Sequence, residues 1–162
     1  MNCPNCGAPM ALLANRPCWQ CGHCSSLVCP EPAADGVRVT GDPGHKCPVC
    51  RQTLVRAVMD DREAIEICER CKGIFMAREA FANTLRVRRH TAQTPSVIPD
   101  PADRRELNRR IGCPSCSRDM IADWYYGTGG IVIDTCPACD VVWLDAGELG
   151  RAIDAPGRDR RP

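Results

Sequence analysis

Fourteen cysteines that recur mostly as C-x-x-C pairs, only seven aromatic residues, and 14 prolines with 13 glycines predict a small metal-stabilised β/α fold for this chain of 162 residues. The cysteines, about 9% of the chain, fall in the range where cross-links replace a large core. Hydrophobic residues reach 44%, but the cysteines are counted among them. The prolines and glycines argue against long helices. No run of ~18 apolar residues occurs, so no transmembrane helix and no membrane partner are expected.

Disulfides need an oxidising compartment. The segment Met1-Asn2-Cys3-Pro4-Asn5-Cys6 has neither a basic region nor an apolar export core. A cytoplasmic address is therefore expected, where cysteine pairs bind metal or do redox chemistry. Spacing separates these two. Cys47/Cys50 and Cys68/Cys71 are separated by 17 residues, and Cys113/Cys116 and Cys136/Cys139 by 19. This is the spacing of a four-thiolate zinc site. A thioredoxin-like reading would need a C-x-x-C ahead of a helix in a βαβ unit, and none is visible.

The chain repeats. Cys47 and Cys50 shift by 66 onto Cys113 and Cys116, whereas Cys68 and Cys71 shift by 68 onto Cys136 and Cys139. The two-residue difference falls in the hairpin turn. The second shift carries Phe75 onto Trp143 and Met76 onto Leu144. In the second module, strands are expected over residues 54–59 and 63–67 around the turn Asp60-Asp61-Arg62, because Ile65 and Ile67 alternate with polar or small neighbours. In the third, strands over 121–126 and 131–135 flank Gly127-Thr128-Gly129-Gly130, a turn suited to positive φ. That turn lacks the lysine and following helix of a phosphate loop.

Short helices are expected after the second knuckles of these two modules. Asp145 and Glu148 have capping-box spacing, which explains both without acid–base catalysis. Asp140, beside Cys139, reads as a solvated residue and not as a ligand. The first module is irregular. Cys3 and Cys6 form its first knuckle; the repeat register favours Cys21 and Cys24 as its second, with Cys18/Cys21 as the rival. Cys18 and Cys29 then read as small apolar residues. His23 lies inside the second knuckle and is expected to face solvent, while His45 and His90 carry no signal.

Modules two and three resemble the TFIIB-type transcription-factor zinc-finger family of zinc ribbons, found in many small bacterial proteins. The matching residues are Cys113-Pro114-Ser115-Cys116, Cys136-Pro137-Ala138-Cys139 and Trp143-Leu144-Asp145-Ala146-Gly147-Glu148-Leu149. Module two keeps the knuckles but has Phe75-Met76-Ala77 and Ala80 in place of the tail residues. The resemblance implies one structural zinc per four-cysteine module, three in all, and no enzymatic activity. Its name raises a link to transcription without establishing one.

The predicted organisation is an irregular ribbon over 1–30, a linker over 31–45, a ribbon with helix over 46–90, a Pro/Arg-rich connector with a short helix over 91–112, a ribbon with helix over 113–155 and a disordered tail over 156–162. Net charge is +1 overall but +4 over residues 84–112 and −3 over 113–162. Arg86, Arg88, Arg89, Arg104, Arg105, Arg109 and Arg110 concentrate the positive charge. They are the candidate nucleic-acid contacts, set against a reading as solvated helix faces. The acidic third module would be repelled by phosphate. The sequence therefore predicts a non-enzymatic zinc-binding protein that acts as an interaction or scaffolding module for an unidentified protein partner, without a small-molecule substrate. Nucleic-acid binding and zinc-thiolate redox sensing are the alternatives. The run Trp124-Tyr125-Tyr126 is a candidate contact surface.

Modules this small have a folding balance near zero without a staple, whereas structural zinc supplies on the order of 10–16 kcal/mol. Elemental analysis of the purified chain should give three zincs, and a strong chelator should abolish the folded circular-dichroism signal.

Overall fold

One face of a β-hairpin must be buried, and here two ribbons bury theirs in a single joint sheet. The computed structural model describes residues 2–12, 19–28, 36–92, 104–125 and 131–155. The first module forms a separate antiparallel sheet of β1 (Met10–Leu12), β2 (Trp19–Cys21) and β3 (Leu27–Val28). The next strands are β4 (Val37–Lys46), β5 (Thr53–Met59), β6 (Glu63–Ile67) and β7 (Ile74–Ala77), followed by helix α1 (Arg78–Thr91). A 3₁₀ turn (Arg104–Asn108) leads to β8 (Ile121–Tyr125), β9 (Ile131–Cys136), β10 (Val141–Leu144) and helix α2 (Glu148–Asp154). The strands from β4 onward make one seven-stranded sheet in the order β4-β5-β6-β7-β10-β9-β8.

The hairpins fall where alternation places them. The β5–β6 turn is left-handed at Asp60 (φ 52°) and Asp61 (φ 57°), a conformation aspartate tolerates better than most residues. Three features depart from the sequence reading. Residues 37–45, expected as linker, belong to β4, which pairs with β5 through register shifts around Pro43. The connector helix is a five-residue 3₁₀ turn. The apolar pairs Phe75-Met76 and Trp143-Leu144 sit in third strands, and these strands join the modules.

That junction is symmetric. β7 and β10 run antiparallel with Ile74 opposite Leu144, Phe75 opposite Trp143 and Met76 opposite Val142. Phe75 and Trp143 are repeat equivalents, so a pseudo-two-fold axis passes between them. Alternation then sorts the side chains. Ile74, Met76, Val142 and Leu144 pack on one face with Phe81 and Leu85 of α1 and Leu149 and Ala152 of α2. Phe75 and Trp143 point to the other face and pack with the cysteines of both modules, Leu54 and its repeat equivalent Met120.

The symmetry is imperfect in a complementary way. Trp143 is fully buried, and a Cβ on Gly73 would overlap its indole. The repeat equivalent of Gly73 is Val141, beside the smaller Phe75. Gly73→Ala should therefore destabilise the zinc-loaded chain by about 1–3 kcal/mol in denaturant titrations, as overpacking does. Gly150→Ala, where a Cβ meets nothing within 4 Å, should be neutral or slightly stabilising.

Candidate metal centres

Six knuckles build the sites, and they share one backbone device. The residue following the second cysteine of each knuckle has positive φ: Gly7 (74°), Ser25 (58°), Arg51 (65°), Lys72 (61°), Ser117 (61°) and Asp140 (53°). This left-handed residue reverses the chain. In module two, for example, Arg51 N donates to Cys47 O at 3.0 Å and Lys72 N to Cys68 O at 2.8 Å. The turn also aims amides at sulfur: Cys50 N donates to Cys47 Sγ at 3.4 Å, and Cys71 N to Cys68 Sγ at 3.3 Å. Ser25 marks Cys21/Cys24 as a knuckle of the same design.

The knuckles converge in pairs into three groups: Cys3, Cys6, Cys21 and Cys24; Cys47, Cys50, Cys68 and Cys71; and Cys113, Cys116, Cys136 and Cys139. Within each group all four Sγ atoms lie within 4.8 Å of one another. Separations include 3.5 Å for Cys3–Cys24, 3.8 Å for Cys47–Cys71 and 3.7 Å for Cys116–Cys136. A tetrahedron with Zn–S of about 2.3 Å has edges of about 3.8 Å, so the donor sets fit zinc. A disulfide would need about 2.05 Å. Three zinc ions are therefore assigned to these 12 cysteines.

The unmetallated thiols divide their protons unequally. The Ser26 hydroxyl and amide pull Cys24 down to about 6. The Gln52 amide, with help from Cys71, lowers Cys50 to about 7, and the Arg118 amide with Cys139 does the same for Cys116. The hydrogen bond to Cys116, with burial, pushes Cys139 up to about 12. Metal uptake must displace the remaining protons, so the sites bind more weakly as pH falls.

Beyond the cysteines, an ionic cluster ties the connector to module three. Arg109 donates to the buried Asp134 through one nitrogen and to Asp145 through the other. The other Asp145 carboxylate oxygen accepts from Trp143 Nε1 at 2.9 Å. Asp145 thus holds the connector and the seam residue, and its side chain does not cap α2, whose N-cap is Gly147 (φ 83°). The expected capping box is half formed: Glu148 Oε2 accepts from Asp145 N at 2.7 Å.

The remaining candidates are placed as follows. Arg89 is buried and donates to Ala152 O at 2.8 Å, binding α1 to the end of α2. Arg88 grips Asp60 with two bonds of 2.8 and 2.9 Å. Arg110 faces Asp119 at 3.5 Å on the surface, and exposed Arg86 donates to Asn83. The side chains of Arg104 and Arg105 lie outside the described residues, as do Cys18, Cys29, Tyr126, the turn at 127–130 and the tail at 156–162. His23 is exposed, and Asp140 is exposed and pairs with Arg78 at 3.1 Å. His45 was overlooked by sequence reasoning. Its amide donates to Glu66 at 2.7 Å, and its ring meets Phe75 edge-on at 5.4 Å. The shift of 66 places it on Ile111, an apolar neighbour of Trp143, and that equivalence was its one signal.

Hairpins, paired knuckles and complete four-thiolate sets define a zinc-ribbon protein. Residues 112–155 match the family model of the TFIIB-type zinc ribbon, described as a transcription factor zinc-finger. No curated protein and no solved structure matches the chain significantly.

Glu148 is, with Asp134, one of two buried acids in this region. Burial pushes its carboxyl up to about 7, opposed by the accepted Asp145 amide. Its folded value exceeds its unfolded one, so the charged form costs stability increasingly between pH about 4.5 and 7. Glu148→Gln keeps an acceptor for the amide and removes that cost. The variant should melt higher than the parent at pH 8, with the gap narrowing as pH falls towards 5.

Proposed function

We propose that this protein is a non-enzymatic zinc-binding scaffold, whose two fused ribbons present a rigid sheet to a protein partner. The observation that carries this reading is the completeness of the donor sets. Each site has four thiolates, two of them largely buried, and catalytic zinc needs an open coordination position. The sites therefore serve to hold the sheet together.

Charge supports a protein partner over nucleic acid. A zinc with four thiolates carries a formal −2, and three such sites take the +1 chain to −5. Three of the seven arginines that suggested a phosphate contact are engaged within the protein. Arg88, Arg89 and Arg109 each hold two parts of the fold together. The family's name connects its members with transcription, and a partner in that process fits the reading. No helix among the described residues is long and apolar enough to cross a membrane.

The zinc-loaded chain, titrated with random-sequence duplex DNA and single-stranded RNA, should show no binding that steepens as salt is lowered. In cell extract at moderate salt it should enter a stoichiometric complex with a protein. Tight, strongly salt-dependent nucleic-acid binding, with no protein complex, would overturn the proposal.

A further inference from the structure

The two modules differ on the sheet face opposite the helices. In module three, Trp124, Val132, Asp134 and Trp143 share that face by strand register. The connector lies over it: the 3₁₀ turn packs against β8, and Arg109 spans Asp134 and Asp145. Val132 is 3% exposed and Asp134 1%. The repeat shifts place Val58, Ala64, Glu66, Phe75 and Ala77 at the positions of Trp124, Val132, Asp134, Trp143 and Asp145. All but Glu66 are smaller than their counterparts, and Ala64 and Ala77 are exposed. The covering segment has also moved. The shift of 66 carries residues 104–109 onto 38–43, which lie in β4, beside the sheet and not across its face.

The result is a groove of about 340 Å³ over module two, with Val58, Ala64, Phe75, Ala77 and Val141 in its lining and Arg56 at its rim. Its chemistry differs from that of the matching surface. In module three two carboxylates hold a guanidinium. In module two Ala77 replaces one of them. The other, Glu66, already accepts from the His45 amide at 2.7 Å and meets the His45 ring at 3.0 Å. A cation buried here would lack the paired acids that offset its desolvation. Arg56 stands where module three has Ala122. Its side chain is 60% exposed, and the carboxylate it faces at 4.0 Å is Glu66, the one His45 holds.

We propose that this groove is the docking site for a segment of a partner protein that inserts a bulky apolar side chain and sets an acidic residue beside it, against Arg56. The inference rests on the protein-binding reading above and adds the place and the chemistry. The repeat supplies the precedent for the occupant, because a short chain segment seats on the matching surface of module three. The apolar requirement follows from the floor. Ala64 and Ala77 leave room that Val132 and Asp145 fill in module three, and an apolar side chain there is removed from water together with Val58 and Val141. The acidic requirement follows from Arg56, the charge that the repeat adds at the rim. Burial of the apolar side chain gives affinity, and the ion pair at the rim gives selectivity.

The test uses the full zinc-loaded chain and a phage-displayed library of random ten-residue peptides. Enriched peptides should share a large apolar residue within two positions of aspartate or glutamate, and synthetic copies should shift the Ala64 and Ala77 methyl signals by NMR. Ala64→Trp fills the groove from an exposed strand position and should weaken binding about tenfold or more while three zincs are retained. Ala77→Asp restores the carboxylate of module three at the N-cap of α1. It should leave the melting temperature unchanged or raised and still weaken binding about tenfold, which separates lost docking from lost structure. Arg56→Glu should turn the selected acidic position basic. Absence of enrichment, peptides indifferent to Ala64→Trp and Ala77→Asp, or an unchanged selection by Arg56→Glu would overturn the docking site. Dodecanoate binding in the groove where no peptide binds would overturn it in favour of a lipid-type ligand. Ala64 and Ala77 methyls shielded from a soluble paramagnetic probe in the free chain would also overturn it, because the chain itself would then fill the groove. If the site fails in any of these ways while the chain still forms a protein complex in extract, the scaffold reading stands. Salt-steep nucleic-acid binding is what removes that reading.

Discussion

Four thiol groups held within 4.8 Å of one another form a stable arrangement only around a cation. Without it their protons must be shared unequally, as the lowered Cys116 and raised Cys139 show. With it the repulsion becomes an attraction shared by two knuckles from distant parts of the chain. Everything else in modules two and three hangs from that closure. Each bound metal fixes the start of a hairpin and the start of a third strand, and the third strands meet at the seam.

The seam then couples centres that would otherwise be independent. Phe75 and Trp143 lie between the two cysteine sets and touch the same apolar cluster. Trp143 is anchored through Nε1 to Asp145, and Asp145 is held by Arg109 from the connector. Arg109 also neutralises Asp134, whose burial raises its pKa against the pull of the guanidinium. Removing one partner of such a buried set typically costs 3–5 kcal/mol, because a charge is left unpaired. The connector that looks like a basic tether in composition is thus a brace between the helices and the sheet.

Much of this was legible in the sequence, and what escaped has a common cause. The metal ligands are local pairs with a repeat, so subtraction of residue numbers found them. The β6 boundaries followed from alternation and match residues 63–67. β4 was hidden because Gly41, Pro43 and Gly44 punctuate it like a linker, although Val37 and Val39 alternate with Arg38 and Thr40. Arg109 looked like a surface cation because its partners lie 25 and 36 positions away. The left-handed position after each knuckle was masked because glycine occupies only one of the six, Gly7. Asp145 had the correct spacing for a cap, but a competing guanidinium and indole took its carboxylate.

The pseudo-two-fold seam has a consequence for how such a protein can diversify. In a dimer of identical single ribbons, the residue on the axis meets its own copy, and any change there is made twice. Once two ribbons reside in one chain, each copy can drift alone. Trp143 lies over Gly73, whereas its equivalent Phe75 lies near Val141, a trade of bulk across the axis that no homodimer could encode. It makes each half specific for the other, so an isolated half would present a surface ill-suited to self-association.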